Sequence, residues 1–339
     1  MTTPLDPIPA DLRETLERAL DQDPQARALA ADVVGRGLSN VFLVGCGGSL
    51  VVTYPVHYLL EREAAFPTFQ MTSAEFNFRR PAALGGGSLV LVCSHTGTTP
   101  ETMEAARIAE AAGATVAAVT RLPDSELARS ADVAFTYLSD DTLWEAVYVL
   151  FGQIGYALLE RTGVDEDHAG IRRVFEALPD AMLSIQQESE ELCRDIASRL
   201  ADERIVYVLG SGPNYGAAYG LAMCYLQEMQ WMHAAAFNAG EFFHGAFEVI
   251  TEEIPVIVLL GEDETRPIAE RALRFVTEHS RKAFALDTRS FAMPGIETHR
   301  RPIVSPMALG GVAGRLAAHL AAVRDHSLDI RRYMSKVPY

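Results

Sequence analysis

Short apolar runs that end in glycine-rich or hydroxyl-rich turns alternate with helical patterns along the first half of the chain. The clearest runs are residues 40–45, 88–93 and 115–120, and each has the length and composition of a strand buried on both faces. Shorter strands are predicted at 68–71 and 133–137. Helices are predicted at 100–113 and over about 9–35, where Asp11 is a candidate N-cap. This alternation predicts an α/β fold with a parallel sheet flanked by helices.

The same plan returns after a helical middle at about 143–204. Strands are predicted at 204–210, 254–260 and 282–287, and helices at 217–230 and 267–279. Aligning Gly45 with Gly210 gives a shift of 165 residues, and aligning Ser94 with Gly261 gives 167. Because two independent alignments agree so closely, the chain is interpreted as an internal duplication of one α/β unit.

These patterns divide the chain into five segments. The prediction is an N-terminal helix at 1–35, a first α/β unit at 36–165 and a helical linker at 166–203, followed by a second unit at 204–325 and a C-terminal tail at 326–339. The tail carries Tyr333, Met334, Val337 and Tyr339, so we expect it to dock over a pocket rather than to remain in solvent.

Composition narrows the class of partner. The chain has 339 residues, of which 49% are hydrophobic, and 45 acidic against 29 basic residues give a formal charge of −16. Such a charge argues against duplex nucleic acid and anionic membranes as partners, although a local pocket can still hold a small anion.

The cysteines and the apolar stretches predict a soluble cytoplasmic protein. The four cysteines (Cys46, Cys93, Cys193 and Cys224) lie far apart, which favours reduced thiols over a disulfide framework or a zinc site. The N-terminus lacks the apolar core of a signal peptide. Two uncharged stretches, 37–60 and 205–227, carry Gly/Ser clusters in their middle, so a strand, a turn and a buried helix fit them better than a membrane span.

The turn after the strand at 88–93 is a candidate anion site. Ser94, Thr96 and Thr99 supply hydroxyl donors, and the small residues of the turn let backbone N–H groups approach a ligand. The corresponding turn of the second half, 261–265, carries three carboxylates, which would repel a phosphate. The alternative interpretation of the first turn is an ordinary Ser/Thr-capped helix start.

A second candidate site lies in residues 228–245. Glu228 falls late in an otherwise apolar helix, where a carboxylate must be paired, hydrated or functional. Glu241 and His244 are three residues apart between two glycines, so they would share one side of a helical turn. The alternative is structural, with Glu241 capping the turn and His244 a hydrogen-bonded core residue.

Together, VGCGGS (44–49), SHTGTTPET (94–102) and GEFFHG (240–245) resemble the sugar isomerase (SIS) domain family of duplicated phosphosugar-binding units. The resemblance implies that Ser49, Ser94, Thr96 and Thr99 bind the sugar phosphate. It also implies that His244 promotes opening of the sugar ring and that Glu228, sixteen residues earlier, moves a proton between C1 and C2. Glu241 would support His244.

Within that family, GEFFHG, EMQW and the tail are most similar to the bacterial fructosamine-6-phosphate deglycases. This similarity implies hydrolysis of a 6-phosphofructosyl amino acid to glucose 6-phosphate and an amino acid, without a metal or an organic cofactor. It also implies that Lys336 of the tail reaches the open-chain sugar, and that a homodimer shares its active sites, with His244 acting within one chain or on the neighbour's substrate.

Two other functions stay open at this point. An aldose–ketose phosphosugar isomerase would use the same Glu228 and His244, and a phosphosugar sensor would bind without catalysis. No sequence motif identifies the amino acid that a deglycase of this sequence would release. His95, inside the phosphate turn, is a further polar group with no assigned role, and Ser73 and Glu75 resemble the family's S-x-E-F element, in which Glu75 is expected to anchor structure.

Overall fold

A computed structural model describes residues 3–164 and 166–337, and the predicted tail residue Tyr339 lies outside them. Contacts within the chain define two compact units. One unit comprises residues 11–179, and the other comprises the described residues up to 10 and from 180 onward. Most of the N-terminal segment therefore packs with the first sheet, and the segment at 166–203 is divided between the units beside Pro179, which lies inside a helix.

The first unit is built on a parallel sheet. Its described strands are β1 (Asn40–Gly45), β2 (Thr68–Thr72), β3 (Ser88–Ser94), β4 (Thr115–Thr120) and β5 (Val133–Thr136). Their order across the sheet is β2-β1-β3-β4-β5, with every pairing parallel. Every residue of β1, β3 and β4 is buried, which is why these strands are continuous apolar runs in the sequence.

Helices cover this sheet and join its strands. They are α1 (Leu12–Leu20), α2 (Asp23–Gly35), α3 (Gly48–Val51), α4 (Tyr54–Glu63), α5 (Ser73–Arg79), α6 (Pro100–Ala111), α7 (Glu126–Ser130), α8 (Leu143–Arg161) and α9 (His168–Leu200), of which α9 continues into the second unit. The prediction of a single helix over 9–35 is therefore wrong, because a turn at residues 21–22 separates α1 from α2. Asp11 holds the N-cap position of α1, but its carboxylate accepts from the Thr15 and Thr142 hydroxyls and from no backbone N–H of the helix.

The second unit repeats the first. Its described strands are β6 (Ile205–Gly210), β7 (His233–Asn238), β8 (Val256–Leu260) and β9 (Ala283–Asp287), in the order β7-β6-β8-β9 with parallel pairings. This is the order of β2, β1, β3 and β4 in the first sheet. The predicted duplication of one α/β unit is confirmed.

The helices of the second unit depart from prediction at two places. After a 3-10 helix at Gly212–Asn214, the segment predicted as one α-helix at 217–230 is α10 (Tyr215–Gly220) followed by a π-helix at Leu221–Met229. The other long helices are α11 (Arg266–His279) and α12 (Arg301–Arg324), and neither α12 nor β7 was predicted.

Among the described residues, one helical segment is long and apolar enough to cross a membrane, judged by length and composition alone. This segment, Thr298–Arg324, contains α12, and 89% of its most apolar window is buried inside the protein. Burial of that extent is what a core helix shows.

Candidate active site

The turns predicted to bind phosphate meet at the carboxyl edge of the first sheet. Gly45 at the end of β1 pairs with Cys93 near the end of β3, so the turns at 46–49 and 94–99 leave adjacent strands side by side. The strand order reverses between β1 and β3, and ligands of open α/β sheets bind in the crevice at such a point. In the first turn, Ser49 hydrogen-bonds the buried thiol of Cys93, whose pKa burial raises to about 12.

Hydroxyl groups line the turn after β3. Ser94 Oγ lies 2.9 Å from Thr99 Oγ1 and accepts a hydrogen bond from Gly97 N at 3.1 Å. Thr96 Oγ1 accepts from the backbone and hydroxyl of Thr98, at 3.3 and 3.0 Å. Thr99 is the N-cap of the twelve-residue α6 but makes no side-chain capping bond. The N–H groups of the first turn of α6 and these hydroxyls are suited to an anion.

Glycine is required at position 97. Gly97 has φ +65°, and a Cβ there would lie 2.5 Å from the side chain of Ser125 and 2.8 Å from Thr120 Oγ1. The tight turn that aims the hydroxyls therefore depends on the absence of a side chain.

In the corresponding turns of the second sheet, side chains of the turns themselves occupy the hydrogen-bond donors. Asp263, only 6% exposed, accepts from Asn214 Nδ2 at 2.5 Å and from Thr265 N at 2.9 Å. Thr265 Oγ1 in turn donates to Ser211 or Asp263, at 3.0 and 2.5 Å. A buried carboxylate occupies the donors that the first sheet leaves available, so this copy is unsuited to phosphate.

His95 is held by a buried tyrosine. Its Nδ1 lies 2.7 Å from the hydroxyl of Tyr137, which is 1% exposed, and its Nε2 lies 3.6 Å from Asp140. Burial lowers the pKa of His95, helped by Arg121, and burial raises the pKa of Tyr137. The carboxylate of Asp140 beside Nε2 favours a neutral imidazole with its ring proton on Nε2, so that Nδ1 accepts from the phenol.

Ser73 and Glu75 have structural contacts. Ser73 is buried and its hydroxyl lies 2.9 Å from that of Thr102, while exposed Glu75 pairs with Arg79 at 2.5 Å. Thr72 is the N-cap of α5, and its Oγ1 accepts from the backbone N–H of Glu75.

Glu228 lies in the last turn of the π-helix, half-buried, with Arg331 as its partner. Arg331 Nε donates to Glu228 Oε1 at 3.0 Å. Burial raises the pKa of Glu228 above its ordinary value, and the pairing with Arg331 opposes this only in part. A carboxylate with a raised pKa inside a π-helix is a combination found at functional sites.

The tail contacts this region through its basic residues. The Arg332 guanidinium lies over the ring of Trp231 at 4.3 Å, and Lys336 Nζ donates to the carbonyl of Arg331 at 2.5 Å. The apolar tail residues expected to be covered are exposed instead: Tyr333 is 63%, Met334 43% and Val337 47% exposed. Within the described chain, the start of the tail is also held by His326, whose ring lies 4.6 Å from that of Trp231 and whose carbonyl accepts from Gln230 Nε2 at 2.8 Å.

Glu241 and His244 are the first and last residues of a 3-10 helix that follows β7. Residues at i and i+3 eclipse one another in such a helix, so both side chains share one face, and both are exposed. Glu228 precedes the start of β7, whereas His244 follows its end. At about 3.3 Å per residue the six-residue strand is roughly 16 Å long. Within one chain, Glu228 and His244 therefore belong to opposite ends of β7.

Two residues of this region were not identified from the sequence as partners of the site. Arg331 was noted only as part of the tail, and Tyr137 only as the end of a strand. A buried carboxylate such as Glu228 is often paired with a cation, but the chain has 29 basic residues and their spacing does not select one.

The described residues, 3–164 and 166–337, contain no group of three or more His, Cys, Asp or Glu side chains that is arranged to hold a metal ion. All four cysteines are free thiols.

Comparison with known proteins gives consistent matches. The model of the SIS domain matches residues 38–149 and 199–289, which include strands of both sheets. The chain is 38% identical to the fructosamine deglycase FrlB of Bacillus subtilis (strain 168), over 93% of this chain and 97% of that protein. It is 25% identical to the fructoselysine 6-phosphate deglycase of Escherichia coli (strain K12), over 96% and 94%. A crystal structure of a Bacillus subtilis protein designated a phosphosugar isomerase matches with a TM-score of 0.89 at 36% identity, covering 95% of this chain and 100% of that one.

Proposed function

The chain belongs to the SIS domain family, and on this premise we propose that it hydrolyses a 6-phosphofructosyl amino acid to glucose 6-phosphate and the free amino acid. The observation that carries the proposal is the 38% identity with a fructosamine deglycase over 97% of that protein. The raised pKa of Glu228 supports it, because a carboxylate that moves protons near neutral pH works best with such a pKa.

Phosphate binding is assigned to Ser49, Ser94, Thr96 and Thr99 with the N–H groups that begin α6. His95 is assigned as a further neutral N–H donor at Nε2, which would turn from Asp140, 3.6 Å away, to the phosphate. Contacts to the phosphate are remote from the reacting carbons, so their binding energy is available to orient C1 and C2.

Proton transfer is assigned to Glu228. Its carboxylate takes a proton from C1 of the open-chain ketoamine while the C2 carbonyl oxygen is protonated, which gives a C1–C2 enaminol. Return of the proton to C2 gives an imine between C1 and the amino-acid nitrogen. Water then adds to C1, and expulsion of the amine leaves the aldehyde of glucose 6-phosphate. The C2 carbonyl accepts the electron pair when the C1 proton is removed. The nitrogen then donates its lone pair as C2 is protonated and takes back the C1–N pair when the amine leaves, so the scheme is balanced with water alone.

Ring opening is assigned to His244, with Glu241 on the same face of the helical turn, and open-chain binding is assigned to Lys336. Opening requires a proton at O5 as the C2–O5 bond breaks, and an imidazole delivers it near neutral pH. Because β7 separates Glu228 from His244 within one chain, the proposal assigns the two groups at each site to two chains of a homodimer. We place this enzyme in the cytoplasm, where free thiols such as these four stay reduced.

The test is a panel of 6-phosphorylated fructosamines with identification of the amino acid released. Glu228→Gln is expected to abolish release while glucose 6-phosphate still binds, because the amide keeps the shape but cannot take a proton. Near-normal release by that variant would contradict the mechanism.

An aldose–ketose phosphosugar isomerase is the second candidate, favoured by the designation of the structural relative at 36% identity. Interconversion of aldose and ketose phosphates without release of an amino acid from any member of the panel would support it over the deglycase.

A further inference from the structure

Nothing polar within the described chain fixes the orientation of His244. No side-chain hydrogen bond or ion pair is formed there by Glu241 or His244, and both side chains are exposed. The position of the backbone that carries the imidazole depends on the two residues between them, Phe242 and Phe243, which anchor this helix.

Aromatic packing anchors these two residues. Phe242 is fully buried in the core of the second sheet, with its ring centroid 5.9 Å from that of Phe275. Phe243 packs edge-on against Phe242 at 5.2 Å and against Phe275 at 5.6 Å, and it also contacts Phe247 at 6.1 Å. Edge-to-face contacts of this kind restrict ring rotation as well as position.

A cation from α11 covers the Phe243 ring. The guanidinium carbon of Arg271 lies 4.1 Å from the centroid of that ring, within the range of a cation–π contact. Arg271 is exposed to solvent, so its side chain is not needed to fill the core. Without it, the guanidinium side of Phe243 would face water and the ring would gain freedom to move.

We propose that Arg271 is a positioning residue for His244 and acts through the ring of Phe243. The inference rests on the proposed function, in which the imidazole must meet the O5 atom of the sugar. Phe243 and His244 are consecutive in a one-turn helix, so a shift of the Phe243 backbone also moves the Cα atom of His244.

The experiment compares Arg271→Ala with Arg271→Lys and Arg274→Ala. Arg274 is exposed on the same helix and carries the same charge, but within the described residues it lies over no aromatic ring, so it is the matched control. Arg271→Ala is expected to lower kcat roughly tenfold with KM within about twofold, because displacement of a catalytic group by a fraction of an ångström costs this much. Lysine should restore most of the loss, and Arg274→Ala should retain wild-type kcat.

A double-mutant cycle with His244→Ala identifies the route. If Arg271 acts through His244, adding Arg271→Ala to His244→Ala causes no further loss of kcat. A further tenfold loss in that background, or a wild-type kcat for Arg271→Ala alone, overturns the inference and leaves the proposed function standing. Normal turnover by His244→Ala alone contradicts the proposed function, and the inference with it.

Discussion

Arg331 Nε lies 3.0 Å from Glu228 Oε1, a contact between residues 103 positions apart in the chain. Burial and the guanidinium act on this carboxyl in opposite directions, because burial raises its pKa while the positive charge lowers it. Burial is the larger effect. The C-terminal segment therefore adjusts the basicity of the residue to which we assign proton transfer.

The first prediction concerns this pair. Arg331→Met keeps the bulk of the side chain but removes its charge, so the pKa of Glu228 should rise further. Proton removal needs the carboxylate, so the acidic limb of the kcat/KM profile should move to higher pH. Arg332→Met, which removes the neighbouring cation over Trp231, is the control and should leave that limb in place. An unshifted limb in Arg331→Met would show that the ion pair does not tune Glu228.

Thr99→Val tests the phosphate turn. The change keeps the shape and the N-cap backbone but removes the hydroxyl next to Ser94 Oγ. Loss of one hydrogen bond to a charged group costs about 1.5–3 kcal/mol, so glucose 6-phosphate should bind at least about tenfold more weakly by calorimetry. Thr98→Val, whose exposed hydroxyl donates to Thr96, is expected to change affinity much less. Equal affinities in wild type and Thr99→Val would remove this turn from the phosphate site.

Two glycines with positive φ differ in the space around them. Gly47 and Gly97 have φ +54° and +65°, but a Cβ at Gly47 meets nothing within 4 Å, whereas one at Gly97 meets Ser125 at 2.5 Å. Gly47→Ala should cost about 1–3 kcal/mol in the free energy of unfolding through backbone strain, and Gly97→Ala should cost at least about 2 kcal/mol more because of the added steric clash. Urea unfolding measures both. Equal losses would mean that the turn at 97 relaxes at little cost.

The contact between His95 and Tyr137 predicts a pH-dependent stability. The folded-state pKa of His95 is lowered, so the folded protein binds fewer protons there than the unfolded chain. The resulting stability is present above the unfolded value of about 6.5 and is lost as pH falls through the lower folded value. Compared with wild type, His95→Gln should lose less stability on acidification from about pH 7 to pH 5. Parallel stability curves would contradict the assignment of a neutral, half-buried imidazole.

Tyr137→Phe extends the same argument to binding. Without the phenol, Nδ1 of His95 loses its donor and only Asp140 still favours the Nε2–H form. Affinity for glucose 6-phosphate should fall several-fold, and the nitrogen NMR shifts of His95 should report a mixture of tautomers. Wild-type affinity together with a mixed tautomer signal would show that His95 does not donate to the ligand.

Most of the fold is legible in the sequence because strands buried on both faces must be continuously apolar. That requirement identifies β1, β3, β4, β6 and β8, together with the Gly-rich and Ser/Thr-rich turns after them. Strand β7 could not be predicted in this way, because it is a half-exposed edge strand with three successive alanines, which have little β propensity. The π-helix at Leu221–Met229 could not be predicted either. An α-helix and a π-helix of the same residues differ only in whether each N–H bonds to the carbonyl four or five residues earlier.

By itself, the sequence determined the two α/β units, the hydroxyl-rich turn at 94–99, and the presence of a glutamate and a histidine of the right types, because these depend on local composition and periodicity. Only the tertiary structure decided which side chains are partners: Arg331 for Glu228, Tyr137 for His95, and Arg271 for Phe243. These contacts join residues 103, 42 and 28 positions apart. Contacts of that separation depend on how helices and turns pack around a sheet, and no local pattern records that packing.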